Sequence, residues 1–230
     1  MCGIVGYTGK SVALSPVLEG LRRLEYRGYD SAGIAMPQGD KLWVEKRAGK
    51  LGNLESSLGT FPSSHSGIGH TRWATHGGPT DTNAHPHLDN EGKLALIHNG
   101  IIENYVELRA ELEKRGHVFH SETDTESVVH LLSDARKKHG GDLAAAMREI
   151  CKELRGSFTL LALHADDPER IVGARRNSPL VVGVGDGENF LASDVAAFIS
   201  NTKRALELGQ DEVVDITPNS IVVTNIDGKV

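Results

Sequence analysis

The sequence has no long hydrophobic run and no excess of positive charge, and these two absences exclude several classes of protein. No stretch of about 18 consecutive apolar residues occurs, so the sequence contains no candidate transmembrane helix. Its 25 Lys and Arg are outnumbered by 31 Asp and Glu, which gives a formal charge of −6 and argues against a nucleic-acid-binding surface that relies on bulk charge. We therefore expect neither a membrane nor a nucleic acid among its partners.

Cysteine is also scarce, and the first residues carry no secretion signal. Cys2 and Cys151 alone cannot build a disulfide framework. Residues 1–6 lack the basic segment followed by an apolar one that marks a secreted chain. The sequence thus predicts a cytoplasmic protein with two free thiols. Cys151 shares a face of a predicted helix with apolar residues, which favours a small buried hydrophobe there.

Hydrophobic patterns predict many strands and four helices. Helical spacing of apolar residues, at i, i+3, i+4 and i+7, marks helices around 12–26, 105–116, 128–140 and 143–154. Short apolar runs bounded by Gly, Pro, Asn or Asp predict strands. These runs lie at 3–8, 33–36, 41–45, 67–73, 93–98, 157–164, 170–174, 180–184, 189–192, 212–216 and 220–226.

No internal repeat or linker divides the chain, so we expect one domain over residues 1–230. Helices grouped in the first and middle thirds favour an α+β layered sandwich over strict strand–helix alternation. The end of the sequence, with a strand at 220–226 and an Asp-Gly turn at 227–228, predicts a hairpin without its returning strand. On that ground we expect a piece of a longer protein.

The most direct chemical signal lies at the second residue. If Met1 is removed, the Cys2 thiol and a free α-amino group belong to one residue. The reference pKa values are about 7.7–8.0 for the amine and about 8.5 for the thiol, so a proton moves easily between them near neutral pH. Such a nucleophile carries its own general base. The alternative is that position 2 merely holds a small residue that permits removal of Met1.

Several segments together carry a resemblance to a known family. They are CGIVG at 2–6, RRLEYRGYDSAG at 22–33, HTRWATHG at 70–77, HNGIIEN at 98–104 and SETDTE at 121–126. In this order and spacing they resemble the class II glutamine amidotransferases, and more narrowly the glutaminase domains of glutamine–fructose-6-phosphate aminotransferases. The similarity continues through ENFLASD at 188–194 to the end. It implies an N-terminal-nucleophile fold, a four-layer αββα sandwich.

The resemblance also implies an activity. A domain of this kind hydrolyses L-glutamine to L-glutamate and ammonia through a thioester on Cys2, without cofactor or metal. In the full-length proteins, C-terminal isomerase domains use the ammonia to make glucosamine 6-phosphate from fructose 6-phosphate. Those domains are not expected within residues 1–230, and the full-length protein is expected to be a homo-oligomer. Two alternatives stay open: a glutaminase domain serving another acceptor, and an unprocessed, inactive binding or regulatory module.

Three residues besides Cys2 are implied near the reacting atoms. The Asn99 side-chain amide and the Gly100 backbone N–H match the family's donors to the oxyanion of the tetrahedral intermediate. Asn-Gly after an apolar strand is equally a signal for a tight hairpin turn, so both interpretations remain open. Arg27 is placed near Cys2 in a supporting role.

Five residues are implied in binding glutamine. Arg72 matches the family's clamp on the substrate carboxylate, although an isolated arginine is often only a solvated charge. Asp124 matches the partner of the substrate amino group, but it also lies in a predicted capping box at 123–126. Trp73, Thr75 and His76 are implied on a loop that folds over glutamine, with Trp73 helping to seal the site.

A run of histidines raises the possibility of a metal site. Five of them fall within 29 residues, namely His70, His76, His85, His87 and His98. Zinc sites often use histidine ligands. Because no cysteine cluster, His-Glu-x-x-His helix or paired acidic set accompanies them, we expect no metal here.

Overall fold

A computed structural model describes residues 2–73 and 77–230 and shows two stacked β-sheets between two layers of helices. The strands in chain order are β1 (Gly3–Gly9), β2 (Ser31–Gln38), β3 (Lys41–Ala48), β4 (Ser66–Arg72), β5 (His87–Leu88), β6 (Leu94–Ile102), β7 (Gly156–His164), β8 (Ile171–Arg176), β9 (Val181–Val184), β10 (Glu188–Ala192), β11 (Ala205–Glu207), β12 (Glu212–Thr217) and β13 (Ser220–Asn225). The α-helices are α1 (Leu14–Leu24), α2 (Leu51–Ser57), α3 (Tyr105–Lys114), α4 (Asp124–Lys138) and α5 (Leu143–Glu153).

Each sheet is built from antiparallel pairs. The first has the strand order β11-β9-β10-β1-β4-β2-β3, which places β1 between β4 and β10. The second has the order β13-β12-β8-β7-β6-β5, in which β6 lies between β5 and β7. The strand that follows Cys2 is therefore an interior strand, held by hydrogen bonds on both sides.

Side-chain alternation along the strands divides the apolar residues among three cores. Successive residues of a strand point to opposite faces, so β1 sends Ile4 between the sheets and Val5 towards α1. In the second sheet, Ile97 lies between the sheets while Leu96 faces the helices α3 to α5. These two strands thus have an apolar residue on each face, and the resulting layer order confirms the αββα sandwich.

The helices cover the outer faces of the two sheets. The stripe of Val17, Leu21 and Leu24 on α1 is fully buried against the first sheet. On α5, Cys151 is only 1% exposed and packs in the apolar core beneath the second sheet. Within 2–73 and 77–230, no helix combines the length and the apolar character that a membrane crossing requires.

The structure confirms all eleven predicted strands and all four predicted helices. Sequence patterns missed α2, β5 and β11. The helix α2 has seven residues and buries only Leu51 and Leu54, too few to show a period, while β5 has two residues and all three of β11 are exposed. These elements are fixed by their neighbours rather than by their own patterns.

The hairpin-turn interpretation of Asn99-Gly100 is wrong. These residues lie inside β6, which continues to Ile102 in register with β7. Gly100 has a φ of +127°, and a Cβ atom there would overlap the carbonyl oxygen of Ser157. Gly100 allows β6 and β7 to approach closely, because only glycine fits both the φ angle and the space at this position.

Candidate active site

Four structural elements bring five of the predicted site residues to one cavity of about 330 Å³. Cys2 precedes β1, Arg72 is the last residue of β4, Asn99 and Gly100 lie in β6, and Asp124 is the first residue of α4. The register of the first sheet pairs Gly3 with Thr71, which sets Cys2 beside the end of β4. Residues separated by more than 120 positions in sequence thus line one cavity.

The Cys2 sulfur is held by the backbone of Trp73. The Trp73 N–H donates to Sγ at 3.0 Å, and the thiol lies 3.6 Å from the Trp73 carbonyl oxygen. Burial raises the pKa of the Cys2 thiol, while the Trp73 N–H bond and the charge of Arg72 oppose that rise. Because the net direction is upward, this thiol needs a base to become a nucleophile at neutral pH.

The Asn99 carboxamide is fixed at both ends. Its Nδ2 donates to the Cys2 carbonyl oxygen at 2.8 Å, and its Oδ1 lies 2.9 Å from Nε2 of His70. Asn99 is only 7% exposed, and Gly100 lines the same cavity. The amide N–H group therefore faces the residue that carries the thiol, where a developing negative oxygen would need a donor.

Arg72 is buried rather than solvated, so the alternative of a surface charge is wrong. It is 4% exposed and donates from Nη1 to the Gly78 carbonyl at 3.1 Å and from Nη2 to the Gly77 carbonyl at 3.2 Å. Burial lowers the pKa of Arg72, while Cys2, Asp124 and neighbouring acidic charge raise it. A guanidinium stays protonated in proteins, so the cavity wall carries a fixed positive charge.

Asp124 supplies a negative charge to the same cavity. It is 4% exposed, its Oδ2 accepts from the Ile102 N–H at 2.9 Å, and its Oδ1 lies 4.0 Å from Nδ1 of His98. One carboxylate oxygen is thus tied to β6 by a backbone bond, which orients the group. A cation and an anion on one cavity wall are complementary to a zwitterionic ligand.

The capping-box alternative for 123–126 is not what the structure shows. Thr123 occupies the N-cap position but makes no side-chain cap bond. Glu126 accepts instead from the N–H groups of His120, at 2.8 Å, and Ser121, at 2.6 Å. The two acidic residues therefore make different contacts. Glu126 binds the backbone of the preceding loop, whereas Asp124 lines the cavity.

Arg27 braces the segment that bonds to β1. Its Nη1 donates to the Ser193 carbonyl and to Oδ2 of Asp194, both at 3.2 Å. Ser193 in turn accepts from the Ile4 N–H through Oγ at 3.1 Å and donates its own N–H to the Ile4 carbonyl at 3.2 Å. Arg27 also lines the cavity, and Ser193 connects it to the strand that follows Cys2.

The remaining predicted residues lie at the rim or outside the described residues. Trp73 is 48% exposed, and its ring meets that of Tyr29 edge to face with centroids 5.4 Å apart. Thr75, His76 and Met1 lie outside the described residues.

The predicted catalytic and substrate-binding residues did not include His70, Ser157 or residues 177–179, all of which line the cavity. Nothing in the local sequence marks Ser157 or residues 177–179. His70 did carry a signal, because residues 70 and 72 point to the same face of a strand and Arg72 was already a candidate. His70 contacts Asn99 directly.

Three of the histidines, His70, His85 and His87, are buried and neutral. Burial lowers the pKa of His70 to about 3 and the pKa values of His85 and His87 well below the usual range. The rings of His70 and His85 lie 4.2 Å apart. In the part of the chain that the structure describes, no three His, Cys, Asp or Glu side chains are grouped so as to hold a metal ion.

Comparisons with known proteins point in one direction. Residues 70–200 match a family model described as "Glutamine amidotransferase domain". The chain is 62% identical over 230 residues to a glutamine–fructose-6-phosphate aminotransferase [isomerizing] of Streptomyces coelicolor, covering 99% of the chain and 37% of that relative. It is 50% identical over 230 residues to the Aquifex aeolicus protein of the same name, covering all of the chain and 38% of that relative.

A solved structure shares the fold over almost the whole chain. It is the glutamine phosphoribosylpyrophosphate amidotransferase from B. subtilis, with a TM-score of 0.82 and 26% identity over 98% of this chain and 49% of that one. The chain therefore spans less than two fifths of the curated relatives and about half of this neighbour.

The environments of the two cysteines predict selective, pH-dependent alkylation. Burial raises the pKa of Cys151 to about 12, and its sulfur lies in the apolar core, whereas Cys2 lines an open cavity. In a sample whose intact mass shows Met1 retained, iodoacetamide should modify Cys2 alone. Since the thiolate is the nucleophile and its pKa is raised, the rate should rise about tenfold per pH unit through pH 7 to 9.

Peptide mapping after alkylation identifies the modified residue. The Cys2→Ala variant should stay unmodified when folded and acquire one adduct, on Cys151, in guanidinium chloride. Modification of Cys151 in the folded protein, or a rate that levels off below pH 8, would contradict this description of the two sites.

Proposed function

The chain belongs to the glutamine amidotransferase family, and from that premise we propose that its cavity hydrolyses L-glutamine to L-glutamate and ammonia with Cys2 as the nucleophile. One observation carries the proposal above the others. The sulfur of Cys2, the carboxamide of Asn99 and the opposite charges of Arg72 and Asp124 line a single cavity. This combination offers a nucleophile, an oxyanion donor and a grip on both charged ends of an amino acid.

Recognition follows from the two buried charges. The guanidinium of Arg72 binds the α-carboxylate of glutamine through parallel hydrogen bonds, and the Asp124 carboxylate binds the α-ammonium group. Arg72 also holds the carbonyls of Gly77 and Gly78, so the same side chain joins the ligand to the segment after residue 76. We expect Trp73, which lies at the rim, to help keep water from the reacting atoms, and the family resemblance adds Thr75 and His76 as residues that contact the substrate.

Ammonia leaves in the first half of the reaction. With Met1 removed, the α-amine of Cys2 takes the thiol proton while Sγ bonds to the side-chain amide carbon of glutamine. The oxygen that becomes negative accepts hydrogen bonds from Asn99 Nδ2 and the Gly100 N–H. The amine then gives its proton to the leaving nitrogen as the C–N bond breaks, which releases NH₃ and leaves a thioester.

Water completes the cycle. The amine takes a proton from water as the water oxygen bonds to the thioester carbon, and the same two donors hold the second oxyanion. The C–S bond then breaks, the sulfur regains its proton, and glutamate leaves. Because the base belongs to the first residue of the processed chain, a retained Met1 converts it to an amide that cannot accept a proton.

We also propose that, within a longer protein, the ammonia aminates a sugar phosphate. The relatives at 50–62% identity carry the name glutamine–fructose-6-phosphate aminotransferase [isomerizing], and this chain spans only 37–38% of their length. C-terminal isomerase domains would then be the partner, with the full-length protein as a homo-oligomer. The rival acceptor is phosphoribosylpyrophosphate, favoured by the structural neighbour. Full-length protein supplied with glutamine should aminate fructose 6-phosphate; amination of phosphoribosylpyrophosphate instead would support the rival.

Replacing either cysteine separates the nucleophile from the structural thiol. We expect the processed chain to release glutamate and ammonia in a one-to-one ratio. The Cys2→Ala variant should release neither product, because Cys2 lines the cavity whereas Cys151 is buried in the core. Coupled assays for both products measure this, and intact mass establishes the loss of Met1. The matched control is Cys151→Ala, which removes a thiol from the core. A Cys2→Ala sample with undiminished turnover would refute the proposal.

A second pair of variants tests the grip on the amino group. Asp124→Asn removes the charge yet keeps an oxygen for the Ile102 N–H, so the fold should persist while glutamine binding weakens. A charged hydrogen bond contributes about 1.5–3 kcal/mol, which corresponds to a rise in KM of roughly 10- to 100-fold. Steady-state kinetics and thermal denaturation measure the two effects.

The control for Asp124→Asn lies on the same helix. Asp134 is on α4 but outside the cavity, where it bonds to His117 and Arg115. Asp134→Asn removes the same charge and should leave KM unchanged. If Asp124→Asn lowers Tm sharply while glutamine affinity stays intact, Asp124 serves the helix rather than the substrate.

A further inference from the structure

His70 lines the cavity and contacts Asn99, the proposed oxyanion donor. It is 1% exposed in β4, and its Nε2 lies 3.0 Å from the His98 carbonyl oxygen and 2.9 Å from Oδ1 of Asn99. Burial lowers its pKa to about 3, so the ring is neutral throughout the working pH range. A neutral imidazole carries one proton, and the position of that proton decides what the ring can do.

The surroundings fix the tautomer. A backbone carbonyl can only accept a hydrogen bond, so the contact with the His98 oxygen requires the proton on Nε2. At the other nitrogen, Nδ1 is buried without a hydrogen-bond partner among the described residues, so nothing there holds the proton. His70 is therefore a donor towards Asn99.

The tautomer in turn fixes the Asn99 amide. With Nε2 donating, the amide oxygen faces His70 and Nδ2 faces the Cys2 carbonyl at 2.8 Å. A rotation of the amide by 180° would set N–H against N–H at one end and oxygen against oxygen at the other. The two bonds together permit a single orientation, in which the N–H group lies on the Cys2 side.

We propose that His70 is a positioning residue of the glutaminase reaction, whose Nε2–H holds the Asn99 amide so that its N–H meets the oxyanion. The inference rests on the function proposed above for Cys2 and Asn99. His70 touches neither the substrate nor the thiol in this account; it acts through Asn99. The backbone carbonyl of His98 contributes to the same arrangement, because it accepts a hydrogen bond from Nε2 of His70 and so keeps the proton on that nitrogen.

The expected effect falls on kcat. Deleting an oxyanion donor typically lowers kcat by about 100- to 1,000-fold. Since His70→Leu leaves Asn99 in place and held at one end by Cys2, we expect a smaller loss, roughly 10- to 100-fold, with KM nearly unchanged. His70→Gln can place an amide N–H near the position of Nε2 and should recover a large part of the rate.

A double-mutant cycle distinguishes positioning from general support of the fold. His70→Leu should lower kcat in the chain that contains Asn99 but have little further effect in the Asn99→Ala background. A purely structural role would lower both backgrounds alike. His130→Leu is the matched control, because it removes another fully buried imidazole, on α4 and outside the cavity, and should leave kcat unchanged.

A measurement without turnover keeps this inference separate from the proposed function. Nitrogen-15 NMR of the histidine rings should show His70 as the neutral Nε2–H tautomer from pH 6 to 9. A proton on Nδ1, full activity in His70→Leu, or independent losses in the double-mutant cycle would overturn the inference. A processed wild-type chain without glutaminase activity would instead overturn the proposed function, and the tautomer would still decide the His70–Asn99 contact.

Discussion

The antiparallel register between β1 and β4 is the constraint on which the cavity depends. It pairs Gly3 with Thr71, so Cys2 comes to lie beside Arg72 and the Trp73 N–H reaches the sulfur. A shift by one residue would send every side chain of a strand to the opposite face. Because Ile4 lies between the sheets and Val5 lies beneath α1, such a shift would disrupt two cores at once. Packing far from the cavity thereby fixes the position of the sulfur.

The cavity wall contains several buried polar groups, but it does not accumulate charges of one sign. His70 and His85 are neutral because burial disfavours their charged form, so Arg72 and Asp124 supply opposite charges to the cavity lining. Each of these two is also anchored by backbone groups, Arg72 to the carbonyls of residues 77 and 78 and Asp124 to the N–H of Ile102. Anchored charges change little on binding, and this is how a site can be selective without large rearrangement.

The sequence predicted more of the fold than of the contacts in the candidate site. Alternating and helical patterns are local, so they marked every long strand and four of the five α-helices found in residues 2–73 and 77–230. The Asn99-Gly100 pair was ambiguous because the same dipeptide serves a turn and a close strand approach; pairing with β7 decided the matter. Asp124 is oriented by the bond from the Ile102 N–H, and His70 by its contacts with Asn99 and the His98 carbonyl. These contacts join residues of different strands and helices, and a pattern within one segment of sequence cannot predict them.

The hydrogen bond between the Trp73 N–H and the Cys2 sulfur places a fluorescent side chain next to the nucleophile. The Trp73 indole is half exposed at the rim, while the other tryptophan, Trp43, lies in β3, packed against the core of the first sheet. Indole fluorescence shifts to shorter wavelength as water is excluded from the ring. Because the Trp73 N–H contacts the sulfur, we expect covalent change at that atom to alter the surroundings of the neighbouring indole. Occupancy of the cavity should then change the tryptophan emission without any attached dye.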